Sequence, residues 1–127
     1  MRYLLDINIL LAANHTGHRD HARAMRWLAS VRGAEFLTTP ITELGFVRIA
    51  AASGLQPSVV AARKTLARWT KAAGAELIPD SLGADRLPTW ADTPAKTTDG
   101  HLVEVARAHD AKLATMDTGI ADALLIP

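Results

Sequence analysis

Short apolar runs and longer stretches of helical spacing alternate along the chain. Tyr3-Leu4-Leu5 is an apolar run that stops at Asp6, and Ile7-Asn8-Ile9-Leu10-Leu11 follows, so the opening reads strand, polar break, turn of helix. Asp20 stands where it can cap a helix whose Ala22, Met25, Leu28 and Ala29 recur at helical spacing, with an end near Gly33. Phe36-Leu37-Thr38 is a second strand. Thr39-Pro40 opens a helix running to about Ser53-Gly54, because proline suits a first helical position. Pro57 opens the longest helix, with Val59, Ala62, Leu66, Trp69 and Ala73 on one stripe and Gly74 as its stop. Glu76-Leu77-Ile78 is a third strand, and the Pro, Gly and Asp-rich stretch from Pro79 to Pro94 carries no clear period. Thr97 or Thr98 caps a helix through Leu102, Val103 and Ala106 to about Ala108. Leu113-Ala114-Thr115 is a fourth strand, and Ala123 to Ile126 a possible fifth.

Strands alternating with helices predict an α/β three-layer sandwich around a mainly parallel central sheet of four or five strands. The 127 residues contain no repeat or linker, so one domain, 1–127, is expected, large enough to bury a core without disulfides. Zero cysteines exclude thiolate nucleophiles, CxxC redox chemistry and cysteine-ligated zinc. No apolar run approaches the roughly 20 residues of a membrane span, and Asp6 interrupts what would be a signal segment, so a cytoplasmic location is expected. The formal charge of +1 conceals a division: residues 1–74 carry +6 and residues 75–127 carry −5. A basic half offers a face to a polyanion and leaves carboxylates for other work.

The acids fall in a pattern. In a parallel sheet, function gathers at the carboxyl ends of the strands. Asp6 ends strand one, Asp117 follows strand four, Asp99 lies in a helix's first turn in register with Leu102 and Val103, and Glu43 lies in the first turn after strand two. Each has an ordinary reading as a capping, macrodipole or turn residue. Four converging acids, however, repel unless a cation compensates them or some stay protonated. Oxygen ligands without cysteine suit Mg²⁺ or Mn²⁺, and such sites serve phosphodiester hydrolysis. Asn8 and Thr115 are placed to orient a carboxylate or water. A DxD phosphatase would need Asp where Asn8 stands, and Ile78-Pro79-Asp80 is a poor match to a phosphate-accepting strand end.

Leu4-Leu5-Asp6-Ile7-Asn8-Ile9-Leu10-Leu11 resembles the opening motif of PIN-domain nucleases. Thr42-Glu43-Leu44-Gly45-Phe46-Val47-Arg48, Thr98-Asp99-Gly100-His101-Leu102 and Leu113-Ala114-Thr115-Met116-Asp117 are similar to the second, third and fourth motifs in order and spacing. The length is that of VapC toxins of toxin–antitoxin pairs. The resemblance implies an acidic catalytic quartet of Asp6, Glu43, Asp99 and Asp117, with Asp6, Asp99 and Asp117 as metal ligands and Asn8 and Thr115 in support. It implies a Mg²⁺- or Mn²⁺-dependent endoribonuclease, commonly a homodimer, whose antitoxin partner occupies the active-site groove. Only this resemblance favours RNA over DNA as substrate, and a non-catalytic module of the same fold is the remaining alternative. Gly100 departs from the pattern and predicts a looser turn around Asp99. Thr118-Gly119-Ile120 lacks an aromatic residue usual after the fourth motif.

Arg63, Lys64, Arg68 and Lys71 on the long helix, and Arg19, Arg23 and Arg26 near the earlier one, have no acids between them beyond Asp20. With Arg48 they are candidate contacts to a phosphate backbone or an acidic partner surface, foremost Arg48, Arg19, Arg23, Arg26, Lys64 and Arg68. His15, His18 and His21 read as capping or solvated residues or as pH-sensitive RNA contacts, rather than as a metal site. His101 and His109 read as surface or helix-end residues. Trp27, Trp69 and Trp90 read as core or dimer packing.

Overall fold

The computed structural model describes residues 1–127. Five strands, β1 (Arg2–Leu5), β2 (Glu35–Thr38), β3 (Glu76–Leu77), β4 (Lys112–Thr115) and β5 (Leu124–Leu125), form one sheet in the order β3-β2-β1-β4-β5. Every pairing is parallel, with Leu4 beside Leu37 on one flank and beside Leu113 on the other. The helices are α1 (Ile7–Asn14), α2 (His21–Ser30), α3 (Pro40–Ala52), α4 (Val59–Ala73) and α5 (Thr97–Ala108).

The alternation of side chains along a strand divides the core in two. Tyr3 and Leu5 of β1 and Ala114 of β4 face a layer built from α1, α2, α3 and α4, with Ile9, Leu10, Trp27, Phe46 and Leu66 buried against them. Leu4, Leu37 and Leu113 face the other way, onto Leu102, Val103, Val105 and Ala106 of α5. The three-layer parallel sandwich expected from the sequence is the fold observed. Fully burying a leucine-sized side chain is worth about 1.5–3 kcal/mol, so both layers are strongly held.

Helix α1 is buried along Ile9, Leu10, Leu11, Ala12 and Ala13, which is why it is apolar all round and not amphipathic. Helix α3 begins with a reciprocal cap: the Thr42 amide donates to Thr39 Oγ1 at 3.2 Å and the Thr39 amide to Thr42 Oγ1 at 2.9 Å, with Pro40 following. Helix α4 ends at Gly74 with φ 64°, a left-handed stop that glycine adopts at no steric cost.

Several local expectations are corrected. The buried face of α2 is Ala24 and Trp27, whereas Ala22, Met25 and Ala29 are exposed. Trp27 won the inward position because its ring meets Tyr3 edge-on at 5.1 Å and Phe36 at 6.3 Å. Asp20 precedes α2 without capping it, since its side chain makes no cap hydrogen bond. Ser58, rather than Pro57, starts α4 by accepting from the Ala61 amide at 3.0 Å, and Val59 is exposed while Ala62 and Leu66 face the core. A 3₁₀ turn over Pro94–Lys96 runs directly into α5, so neither Thr97 nor Thr98 is its cap. Another 3₁₀ turn, Ala84–Arg86, lies within the stretch that had no period.

Gly100 is buried in a regular turn of α5, not a loose one. A Cβ there would lie 2.6 Å from Ala91 Cβ and 3.1 Å from Pro88 Cδ, so glycine is what lets the 88–91 segment lie against the helix. Gly100→Ala is therefore expected to destabilise by about 1 kcal/mol net: the helix-propensity gain is about 1 kcal/mol, and the overpacking cost about 2 kcal/mol. Urea unfolding measures it, and a stabilised variant would show that the segment yields freely.

Candidate active site

The sheet order contains one switch point. The chain leaves β1 for β2 and β3 on one side and later returns to β4 and β5 on the other, so the carboxyl ends of β1 and β4 diverge into helix and loop beside one another. Ligand crevices of parallel sheets form at such points. Asp6 follows β1 there, and Asp117 follows β4 two residues beyond Thr115.

Asp6 is 7% exposed and fully engaged. Its Oδ1 accepts from the Ile7 amide at 2.7 Å, capping α1, and its Oδ2 accepts from the Thr115 hydroxyl at 2.7 Å. Thr115, 1% exposed, is the hub of this network. Its oxygen accepts from Asn8 Nδ2 at 3.2 Å and from the Asp117 amide at 3.0 Å, while its proton goes to Asp6. One donor and two lone pairs are all a hydroxyl offers, so the direction of each bond is fixed. Asn8 Oδ1 in turn accepts from the Met116 amide at 3.3 Å. Asp117 closes its own turn, with Oδ1 accepting from the Gly119 amide at 3.0 Å. Thr115 thus touches the Asp6 carboxylate directly, whereas Asn8 bonds Thr115 and the Met116 amide and reaches no carboxylate itself.

Asp99 enters from the first turn of α5. Burial raises its pKa, and the negative charges of Asp6 and Asp117 raise it further, with no side-chain hydrogen bond opposing them. Burial also raises the pKa of Asp6; the bonds from Thr115 and Ile7 work against that rise, and Asp117 adds to it. Asp6, Asp99 and Asp117 are thus close enough to repel one another. Glu43 sits in the first turn of α3, after β2, with Oε2 accepting from the Thr38 hydroxyl at 2.6 Å. Thr38, buried at a strand end, gave no sign of this partnership in the sequence.

No three Asp, Glu or His side chains close on one point as they would around a fully protein-ligated ion. A Mg²⁺ ion makes no such demand: it retains several waters and is held through one or two carboxylates. An all-carboxylate set that repels itself, with Asp99 carrying no internal partner, fits a hard divalent cation by donor chemistry.

The basic candidates separate. Arg23 donates to the carbonyls of Ile126 at 2.7 Å and Pro127 at 3.2 Å, so part of its guanidinium is committed to the chain. Arg19 approaches Asp20 at 3.5 Å on the surface. Arg26, Arg48, Lys64 and Arg68 are exposed and outside any ion pair shorter than 4 Å. Arg63 and Lys64 line a groove of about 680 Å³ between α3 and α4, floored by Leu44, Val47, Val59 and Val60, with Glu43 at its margin.

The three histidines of the run turn to different partners. His15 is buried rather than solvated: its Nδ1 pairs with the Leu11 carbonyl at 2.7 Å, its Nε2 with Gln56 at 3.0 Å, and its ring stacks on Phe46. His18 accepts from the Asp20 amide, and His21 pairs with the Ala12 carbonyl. His101 is likewise no surface residue, being 15% exposed at its side chain. Trp27, Trp69 and Trp90 all pack on the two cores, as read from the sequence.

The family described as PIN domain matches residues 3–123. Ribonuclease VapC39 of Mycobacterium tuberculosis is 33% identical over 96% of this chain and 93% of its own length. Ribonuclease VapC29 of the same organism is 36% identical over 100% of this chain and 98% of its own. A crystal structure of VapBC2 from Rickettsia felis, bound to a DNA fragment from their promoter, superposes with a TM-score of 0.61 at 16% identity. It covers 98% of this chain and 96% of that one, and it is a likeness of fold.

Proposed function

The chain belongs to the PIN-domain family, and on that premise we propose that it is an endoribonuclease, the toxin of a type II toxin–antitoxin pair, hydrolysing RNA phosphodiester bonds with Mg²⁺ or Mn²⁺. The observation that carries this reading is the joining of Asp6 and the Asp117 turn through Thr115 at the β1–β4 switch point, with Asp99 near enough for their charges to act on it, an arrangement whose repulsion a bound cation offsets. One or two of Asp6, Asp99 and Asp117 would hold the ion directly and the rest through its waters, with Glu43 completing the acidic quartet from α3. When bound, such an ion lowers the pKa of a water and stabilises charge on the leaving oxygen.

The chain's own residues divide the remaining work. Thr115 and the Ile7 amide fix both oxygens of Asp6, so its lone-pair directions are set before anything binds. Asn8 ties the loop after β4 to α1 and so keeps Asp117 beside Asp6. Asp99, free of internal bonds, is the carboxylate able to turn toward ion or water. Arg48, Arg26, Lys64 and Arg68, with Arg19 and the uncommitted part of Arg23, would meet the phosphate backbone.

The relatives named ribonuclease VapC support RNA as substrate and an antitoxin as partner. The groove between α3 and α4 supports the partner further, since its apolar floor and basic Arg63 and Lys64 suit an amphipathic segment carrying acids. A homodimer, a cytoplasmic setting and a single nuclease domain over residues 1–127 complete the reading and rest on the family. No helix is long and apolar enough to cross a membrane.

The test is cleavage of labelled small RNA by the purified chain in Mg²⁺, in Mn²⁺ and in chelator, beside matched single-stranded DNA. Discrete RNA fragments that require metal are expected. Cleavage of DNA alone would transfer the reading to a DNA nuclease, and no cleavage of either, without metal binding by calorimetry, would leave a binding module.

A further inference from the structure

Helices α3 and α5, which carry Glu43 and Asp99, lie on opposite faces of the sheet and belong to different cores. Nothing in either core sets the first turn of one against the first turn of the other. Between those turns lies a shallow pocket of about 260 Å³ lined by Ile41, Leu82, Thr97, Thr98 and His101, so they are not braced by packing there.

One side chain spans this gap. Asp80, two residues after buried Ile78 at the end of β3, directs Oδ2 to the Ile41 amide at 2.9 Å and Oδ1 to His101 Nε2 at 2.9 Å. Ile41 is the second residue of α3, and His101 lies two positions beyond Asp99 on α5. Asp80 and His101 are each 15% exposed at the side chain, so that arm is poorly accessible to competing water, while the arm to Ile41 lies at the surface. The bond to α3 is also the one its terminus lacks. Pro40 has no amide hydrogen, the Thr42 amide goes to Thr39 Oγ1 and the Glu43 amide to the Thr39 carbonyl, which leaves Ile41 for Asp80.

We propose that Asp80 is a positioning residue for the acidic site, a two-armed clamp with His101 that fixes the helix bearing Asp99 relative to the helix bearing Glu43. This rests on the functional reading above and goes beyond it, because Asp80 lies outside all four motifs. Its action is geometric. Asparagine keeps an acceptor for the Ile41 amide and an amide group for the imidazole, which accepts once its tautomer changes, whereas alanine loses both arms.

The experiment compares Asp80→Ala, Asp80→Asn and His101→Ala with wild type. Mn²⁺ affinity is read by calorimetry, kcat and KM on RNA, folding by urea midpoint, and the backbone amides of Glu43 and Asp99 by nuclear magnetic resonance without metal. Asp80→Ala is expected to weaken Mn²⁺ binding or lower kcat by about tenfold with KM little changed, while Asp80→Asn stays near wild type. His101→Ala should shift the Glu43 amide although it sits on the other face of the sheet. An Asp80→Asn loss equal to that of Asp80→Ala would make the effect one of charge and overturn the clamp. So would unshifted Glu43 and Asp99 amides in Asp80→Ala and His101→Ala, and so would a kcat and affinity unchanged in a folded Asp80→Ala. A wild-type chain that neither binds Mn²⁺ nor cuts RNA would sink the functional reading instead, and the amide shifts would still decide the clamp.

Discussion

Asp99→Asn is expected to lower metal-dependent cleavage by about a hundredfold or more and to make the metal-free chain more stable. Both effects have one origin. The Asp99 carboxyl sits above its ordinary value of 3.8 first because it is buried and then because Asp6 and Asp117 repel its charge. A carboxyl whose pKa rises on folding holds its proton more tightly in the folded state. The stability this contributes is present below the unfolded value and is lost as pH rises through the folded one. At neutral pH without metal, therefore, the charged Asp99 weakens the fold, and asparagine removes that penalty without breaking a hydrogen bond. Thermal unfolding in chelator should find the variant more stable than wild type at about pH 8 and little different at about pH 3. Equal stability at the higher pH would mean that the three acids do not strain one another. Asp6→Asn is the less clean case, since an amide cannot accept from both Ile7 and Thr115, and the lost bond offsets the relief of charge.

Thr115→Val is expected to cost about 3 kcal/mol of stability and most of the activity. Valine fills nearly the same space, so no cavity explains such a loss. What disappears is the hydroxyl between a buried carboxylate, the Asn8 amide and the Asp117 backbone amide. Left behind are an acceptor and two donors with little access to water. Thr115→Ser retains the hydroxyl and gives up only a methyl group, at about 1 kcal/mol, with cleavage largely kept. Urea unfolding of the two variants, with their rates on RNA, separates hydroxyl from methyl. A valine variant as active as the serine variant would remove Thr115 from the site.

The architecture was readable because it rests on period and punctuation. Alternation within β1 sends Tyr3 and Leu5 to one layer and Leu4 to the other, and Thr39-Pro40 and Gly74 mark helix ends by local chemistry alone. The acids were readable for a similar reason, since each stands at a strand end or in a first helical turn. What sequence could not supply was any choice made by distant partners. Trp27 displaced Met25 from the inner face of α2 because Tyr3 and Phe36 lie beneath it. His15 went inward because Phe46 offered a ring face and Gln56 a hydrogen-bond partner. Gly100, out of place by helix propensity, is required by Ala91 and Pro88 from the stretch that had no period. Asp80 gave no signal because both its partners lie far along the chain, 39 residues before it and 21 after.

The central strand β1 is the second to fifth residue of the chain, and the strand that completes its other flank is β4, at residues 112–115. A ribosome therefore releases Asp6 more than a hundred residues before Thr115. Until then Asp6 lacks the hydroxyl that holds it, and β1 is open along one side. No nascent fragment that stops short of residue 115 can assemble the acidic cluster, however well its first helices have folded. For a chain proposed to cut RNA, the wiring of the sheet delays the hazard: a growing polypeptide lacks the hydroxyl that joins Asp6 to the Asp117 turn until β4 has been made.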